Sequence, residues 1–297
     1  MADLTTAGPA TAAAPASRGR QRPGRAWLRF FRSELRIVFG RRRNQGLLAV
    51  VALFPVLIGI ALRLADRPGR TGGPSVAFIS QLAGNGIFLT FIALSLLLTL
   101  VLPLAMAVIA GEALAGEAGY GTLRSLLAVP AGRAHILAVK YAAIAVFALA
   151  VTFLVTGVAL ATGAALFPLG PVTLLSGTTV PLGDGIIRLL LVALYVAAAM
   201  ASFGAIGLAV SACTEHPVGA VAALAILAVA SEAADALPQF AAIHPYLPTH
   251  WWNSFGALLR VPVGTGTLLP GLLSFGIWLL LSGSVAWARF TTADITC

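Results

Sequence analysis

Few side chains in this sequence can do chemistry, and they are grouped. Only 10% of its 297 residues are charged. Residues 112–140 nevertheless hold two acids, Glu112 and Glu117, and three bases, Arg124, Arg133 and Lys140. Gly119 and Gly121 allow a turn with positive φ. Thr122 follows, then Leu123, Leu126 and Leu127 recur at helical spacing until Pro130 ends the pattern. The order predicts an amphipathic helix of about two turns, lying flat at a membrane surface between two apolar runs, 86–111 and 136–160. Leucines on one side and Glu117 with Arg124 on the other suit an element docked in a partner, its register fixed by charge pairs. The plainer alternative is that Glu112 and Glu117 cap the edge of an apolar run as solvated charges.

Three other groups could act. Glu232 and Asp235 are one helical turn apart and share a face. A charge at mid-bilayer costs about 2.5–3.5 kcal/mol, so the pair should face protein or water. It marks either the end of a span or the exit of a substrate path. Ser95 and Thr99, with Phe88, Ile92 and Met106, line one face of the 86–111 run. That face suits an apolar or amphipathic cargo, and equally suits ordinary helix packing. His244 and His250 are six residues apart among Tyr246, Trp251 and Trp252. No third ligand stands at a known spacing, so the expectation is an interfacial aromatic belt and no metal site. Trp251, Trp252, Phe255, Leu258 and Leu259 fall on one face of a short helix expected on the surface before the last span. There is no Ser/His/Asp, HExxH or GxSxG constellation, so no catalytic residue is assigned and no enzyme is expected.

The elements that carry these residues follow from hydropathy. The chain is 59% hydrophobic with mean hydropathy +0.95, where a soluble domain would be near half apolar and a quarter charged. Each crossing of about 30 Å of hydrocarbon takes about 20 apolar residues. Spans are predicted at 46–64, 86–111, 136–160, 186–212, 218–237 and 268–288, with a kink at Pro103 in the second. The fold class is therefore all-α, a polytopic membrane protein with six transmembrane helices. Residues 163–185 and 238–267 are predicted outer loops. The domains are a disordered tail 1–24, an interfacial amphipathic helix 25–43, a six-span domain 44–288 and a short cytoplasmic tail 289–297. Residues 1–24 hold no apolar core of a signal peptide. In 25–39, Trp27, Phe30, Phe31, Leu35 and Val38 fall on one face and Arg25, Arg29, Arg32 and Arg36 on the other, as a helix at the head-group boundary requires.

The net charge of +9 is local, because ten of the nineteen bases lie between Arg18 and Arg43. Beside a span such a cluster anchors to anionic lipid, and no aromatic-interleaved basic groove suggests nucleic acid. With the N-terminus inside, fourteen bases fall on the inner side and five on the outer, so both termini and residues 112–140 are expected in the cytoplasm. Cys213 and Cys297 are too few and too distant for a disulfide framework or a metal knuckle. Arginine outnumbers lysine eighteen to one amid abundant Ala and Gly, the usage of a GC-rich bacterial genome.

The 112–140 stretch resembles the segment between the second and third spans of type-2 ABC transporter permeases. Members carry a Glu-x-x-x-Gly-Thr-Leu-like signature, a short helix, then Pro and Arg, then Lys at the next span. Here these are Glu117, Gly121, Thr122, Leu123, Pro130, Arg133 and Lys140. The match covers these thirty residues; elsewhere helix count and hydropathy agree. The resemblance implies the membrane subunit of an ATP-driven exporter in the bacterial plasma membrane. Its partners would be two copies of a separate ATPase subunit, which bind ATP and Mg, and a second permease copy, identical or related. This chain has no Gly-Lys-Ser/Thr loop to cradle phosphate and would itself bind no cofactor. Glu112, Glu117, Gly121, Thr122, Leu123, Arg124, Leu126, Leu127 and Arg133 would couple the ATPase to the spans. The cargo is open among drug, lipid, peptide and ion. Two rival readings stand beside this one. An ion-driven secondary transporter would place polar residues at mid-membrane, where this chain has Ala, Leu, Val, Ile and Gly. The second is a non-transporting assembly or signalling subunit that uses the ATPase to move a membrane element.

Overall fold

A computed structural model describes residues 23–65, 85–119 and 133–292. The predicted tail 1–24 lies almost wholly outside it. So do residues Gly121 to Pro130 of the predicted coupling helix. Eight α-helices are seen among the described residues: α1 (Pro23–Gly40), α2 (Arg42–Ala65), α3 (Gly86–Thr99), α4 (Val101–Gly119), α5 (Arg133–Leu166), α6 (Leu182–Cys213), α7 (Pro217–Asp235) and α8 (Thr265–Thr292). Six of them, α2, α4, α5, α6, α7 and α8, are long and apolar enough to cross a membrane. The chain is an all-α polytopic membrane protein, as its hydropathy predicts.

The bundle is organised around α6. It packs on α4, α5 and α8, while α4 also packs on α7, and α5 gathers α1, α2 and α3. Lipid tails are as apolar as leucine, so such helices associate by close packing rather than by hydrophobic burial. Small residues make that closeness possible. Gly207 of α6 lies on Ala110 of α4, and Gly204 on Ile144 of α5 and Met106 of α4. The tightest approach is backbone to backbone: a Cβ on Gly163 of α5 would stand 2.0 Å from the carbonyl oxygen of Gly86 in α3.

The second predicted span is two helices. The break lies at Leu100, with φ −141° and ψ −48°, three residues before Pro103. A proline inside a helix lacks the N–H and its ring collides with the carbonyl four residues earlier, here that of Thr99, so the ladder parts there rather than at the proline. The break also undoes the predicted face of the second span. Ser95, Ile92 and Phe88 are half-buried and Thr99 is exposed, whereas Met106 on α4 is buried in the core. In addition, α4 runs on to Gly119. Glu112 and Glu117 therefore sit on the helix and not at and beyond its end.

The two loops at the other end are more structured than predicted. Residues 172–173 and 179–180 form a two-residue antiparallel hairpin, turned at Gly177 with φ +79°. Asn85 caps α3, accepting from the Ile87 amide at 3.1 Å, and donates to the carbonyls of Gly170 (3.1 Å) and Pro171 (2.9 Å) beside that hairpin. Residues 238–240, 244–246 and 252–259 are short 3₁₀ helices. The last turns its apolar face inward, against the bundle. Trp252, Phe255 and Leu259 are buried, and Trp252 meets Phe203 of α6 edge to face at 5.5 Å. Its apolar face is spent on the bundle because α6 and α8 offer it a packing surface.

The Gly86–Gly163 contact predicts a test of the packing. Gly163→Val should cost about 3 kcal/mol or more, because backbone cannot yield to a side chain. Gly157→Val on the same helix, with nothing within 4 Å of its added Cβ, should cost little. Thermal unfolding of both variants in detergent measures the difference.

Candidate functional site

The charged residues of the basic end converge where α1, α4 and α5 meet. Lys140, on α5, is buried, its side chain 3% exposed. Its ammonium lies 2.6 Å from Glu117 Oε1 on α4 and 3.5 Å from Glu34 Oε2 on α1, itself buried. From Lys140 to Leu166, α5 adds 26 residues. That is about 39 Å of helix against about 30 Å of hydrocarbon, so Lys140 belongs to the edge of a membrane and not its middle. Glu112 faces the other way. Five residues on a helix turn about 140°, which directs Glu117 to α5 and Glu112 to α2. There Arg43 holds both Glu112 oxygens in a bidentate pair, with Nη1 2.5 Å from Oε1, and Arg41 stands 3.9 Å away.

Between these pairs lies a cavity of about 370 Å³, lined by Glu34, Arg41, Arg43, Glu112, Glu117 and Lys140 among apolar residues. Three acids balance three bases around it. The two halves differ in worth. Arg43 is 55% exposed, and an exposed pair contributes under about 1 kcal/mol. Removing the cation from a buried pair costs about 3–5 kcal/mol, since it strands a buried charge. Lys140, with two carboxylates to strand, is therefore the centre of the site.

Neutral hydrogen bonds reinforce it. Asn44 donates to the Val38 carbonyl at 2.8 Å and Gln45 to that of Phe39 at 3.1 Å. Those carbonyls are among the orphans of the α1 C-terminus, so α2 caps α1. Phe39 reaches Phe147 of α5 with ring centroids 5.8 Å apart. Ser211, buried on α6, donates to the Gly111 carbonyl at 2.7 Å and accepts from the amides of Leu114 (3.0 Å) and Ala115 (2.9 Å). Its hydroxyl thus occupies the helical ladder of α4 in the turn that carries Glu112.

The predicted residues are partly brought together. Glu112 and Glu117 flank the cavity, and each pairs with a base of this chain, Glu112 with Arg43 and Glu117 with Lys140. Gly121, Thr122, Leu123, Arg124, Leu126 and Leu127 lie outside the described residues, between the helices that Glu117 and Lys140 join. Arg133 opens α5. The interfacial helix is seen as α1, which contains Arg25. Arg29, Arg32 and Arg36 are exposed, while Trp27 stacks on Phe31 at 5.2 Å and 14°. It does not simply float on a surface, because Glu34 and Phe39 fasten it to α5. Thr99 donates to the Ser95 carbonyl of its own helix at 3.3 Å. Glu232 and Asp235 stand at the opposite end of the bundle. Sequence reasoning missed Glu34, Ser211 and the pairing of Arg43. Glu34 carried a signal, as the one acid among ten bases between Arg18 and Arg43. A serine in an Ala-rich helix such as α6 gives none.

Six helices long and apolar enough to cross a membrane, with a compact charge cluster at the base of one interhelical segment, make this a polytopic membrane protein. The family described as ABC-2 family transporter protein matches residues 41–231, and the chain belongs to that family. A further 132-residue alignment is 38% identical to the probable ABC transporter permease protein NosY of Stutzerimonas stutzeri, covering 40% of this chain and 44% of that relative. The chain thus spans under half the length of the curated relative it matches.

Lys140→Met should lower the stability of the full chain by about 3–5 kcal/mol. Arg43→Met should cost under about 1 kcal/mol. Unfolding of the two variants in matched detergent separates them, and equal losses would mean that burial does not set the order.

Proposed function

We propose that this chain is the membrane-spanning permease subunit of an ATP-driven exporter in the bacterial plasma membrane. Both termini, and the end of the bundle bearing α1, would face the cytoplasm, as the fourteen-to-five distribution of bases suggests. Two copies of a separate ATPase subunit would bind ATP and Mg and dock on residues 120–132. A second permease copy, identical or related, would complete the transporter. The cargo class stays open among drug, lipid, peptide and ion.

The observation that carries this reading is the Glu117–Lys140 pair. It closes the base of the 120–132 segment by joining the last turn of α4 to the first turns of α5. A segment that moves with an ATPase can shift spans only if its two roots are tied. Lys140 ties them and, through Glu34, ties α1 as well. Glu112 and Glu117 thus act in coupling by bracing the helices, not by meeting the ATPase directly. The broken second span favours the secondary-transporter alternative in form, since such folds use broken helices. Its break lacks the chemistry, however: residues 97–102 are Leu-Leu-Thr-Leu-Val-Leu.

The experiment is co-reconstitution with the cognate ATPase in lipid vesicles. Glu117→Gln should leave assembly intact and lower ATP-driven turnover per complex about tenfold, a change of about 1.4 kcal/mol in barrier. Glu215→Gln, on the exposed turn before α7, should leave turnover unchanged. Wild-type turnover in the Glu117 variant, or ATP hydrolysis by the chain purified free of partner, contradicts the proposal.

A further inference from the structure

We propose that the end of the bundle opposite Lys140 carries a site for a zinc-like divalent cation, formed by Asp235, His244 and His250. Asp235 is the last residue of α7, His244 opens the 3₁₀ turn 244–246, and His250 lies just before the 3₁₀ helix 252–259. One ligand atom from each lies within 4.8 Å of the other two. His250 Nδ1 is 2.5 Å from Asp235 Oδ1, and His244 Nδ1 is 3.8 Å from the same oxygen. Tetrahedral zinc with bonds of about 2.0–2.2 Å sets its donors roughly 3.3 Å apart. The His250–Asp235 contact has to open by about 0.8 Å and the widest pair to close by at most about 1.5 Å to reach that spacing. Side-chain rotation covers both.

Three features show a built site rather than a chance meeting. His244 Nε2 lies 3.2 Å from the Leu237 carbonyl. An N–H there donates to that oxygen, the orienting contact that ligating histidines ordinarily have, and in that neutral tautomer Nδ1, on the side of Asp235, is the nitrogen that can ligate. The segment bearing His250 is held to α7 by a buried hydrogen bond between Ser231 and Thr249 at 2.8 Å. Trp251 steadies the turn, its indole donating to the Pro245 carbonyl at 3.1 Å and its ring meeting His250 edge-on. The three side chains are 19–28% exposed, enclosed enough to be ordered and open enough for an ion to reach them.

The donor set names the ion class. Two imidazoles and one carboxylate suit zinc and its borderline neighbours, whereas magnesium and calcium prefer oxygen alone. Three protein ligands leave a fourth position for water or a cargo group. Glu232, one turn before Asp235, stands beside it as a second carboxyl without being needed as a ligand. Occupancy would clamp residues 244–250 to the end of α7. The claim does not rest on the transport reading, since it is read by binding alone.

The test uses the full chain, purified without a histidine tag, stripped with chelator and titrated with Zn²⁺ against a fluorescent competitor. We expect one Zn²⁺ per chain, undisplaced by excess Mg²⁺. Asp235→Ala and His244→Ala should each weaken binding at least about tenfold. His216→Ala, in the turn at the other end of α7, should not. Because a variant could misfold, Co²⁺ replaces Zn²⁺ in the wild-type chain, where the visible spectrum of tetrahedral coordination is expected. Absence of stoichiometric Zn²⁺, a six-coordinate Co²⁺ spectrum, or equal loss in the His216 variant overturns the site.

Discussion

A buried ammonium between two carboxylates governs the basic end of this protein. Lys140 is buried, its side chain 3% exposed, and must keep Glu34 and Glu117 close. Because those residues belong to three helices, one electrostatic demand fixes three relative positions. A buried pair need not stabilise more than apolar packing would. What it does is specify: α1 can attach to α5 only where a carboxylate meets that lysine. The exposed Arg43–Glu112 pair adds orientation to this anchor more than it adds stability.

The rest of the bundle is arranged so that this anchor has something stiff to act on. Glycines and alanines seat α6 closely on α4 and α5, and bring α3 onto α5 backbone to backbone. Ser211 then fastens α6 into the ladder of α4 one turn from the glutamates. Movement at the root of residues 120–132 would reach α6 through hydrogen bonds and packed backbone, and α6 in turn contacts α8. At the far end, the Trp252–Phe203 contact and the Asn85 cap hold the connections against the same helices. The break at Leu100 interrupts the helical ladder of the second span.

Much of the architecture was legible because membranes impose a coarse rule. Six apolar runs, each about the bilayer's thickness, gave six spans, and the Arg/Phe periodicity of residues 25–39 gave α1. The ends were less legible. Nothing in hydropathy says that α4 continues through Glu112 and Glu117, since both are charged; their partners on α2 and α5 make the extension possible. The periodicity of 25–39 showed where the arginines point but not that Glu34 is buried, because that depends on a lysine 106 positions later. Likewise, Trp252 reads as a belt residue by type and as core by position. Asp235 was matched to Glu232 by helical spacing, while its nearest polar partners, His244 and His250, come from a connection whose path local sequence does not determine.

The central claim is that Lys140 makes α1, α4 and α5 one mechanical unit. Hydrogen–deuterium exchange of the full chain in lipid nanodiscs tests it most directly, comparing wild type with Glu117→Gln. Glu117 lies on α4, so a purely local role predicts faster exchange near residues 112–119 alone. The unit predicts that losing one carboxylate from Lys140 also loosens its hold on Glu34, and that amides of residues 34–40 in α1 exchange faster. Unchanged exchange in α1 would contradict it.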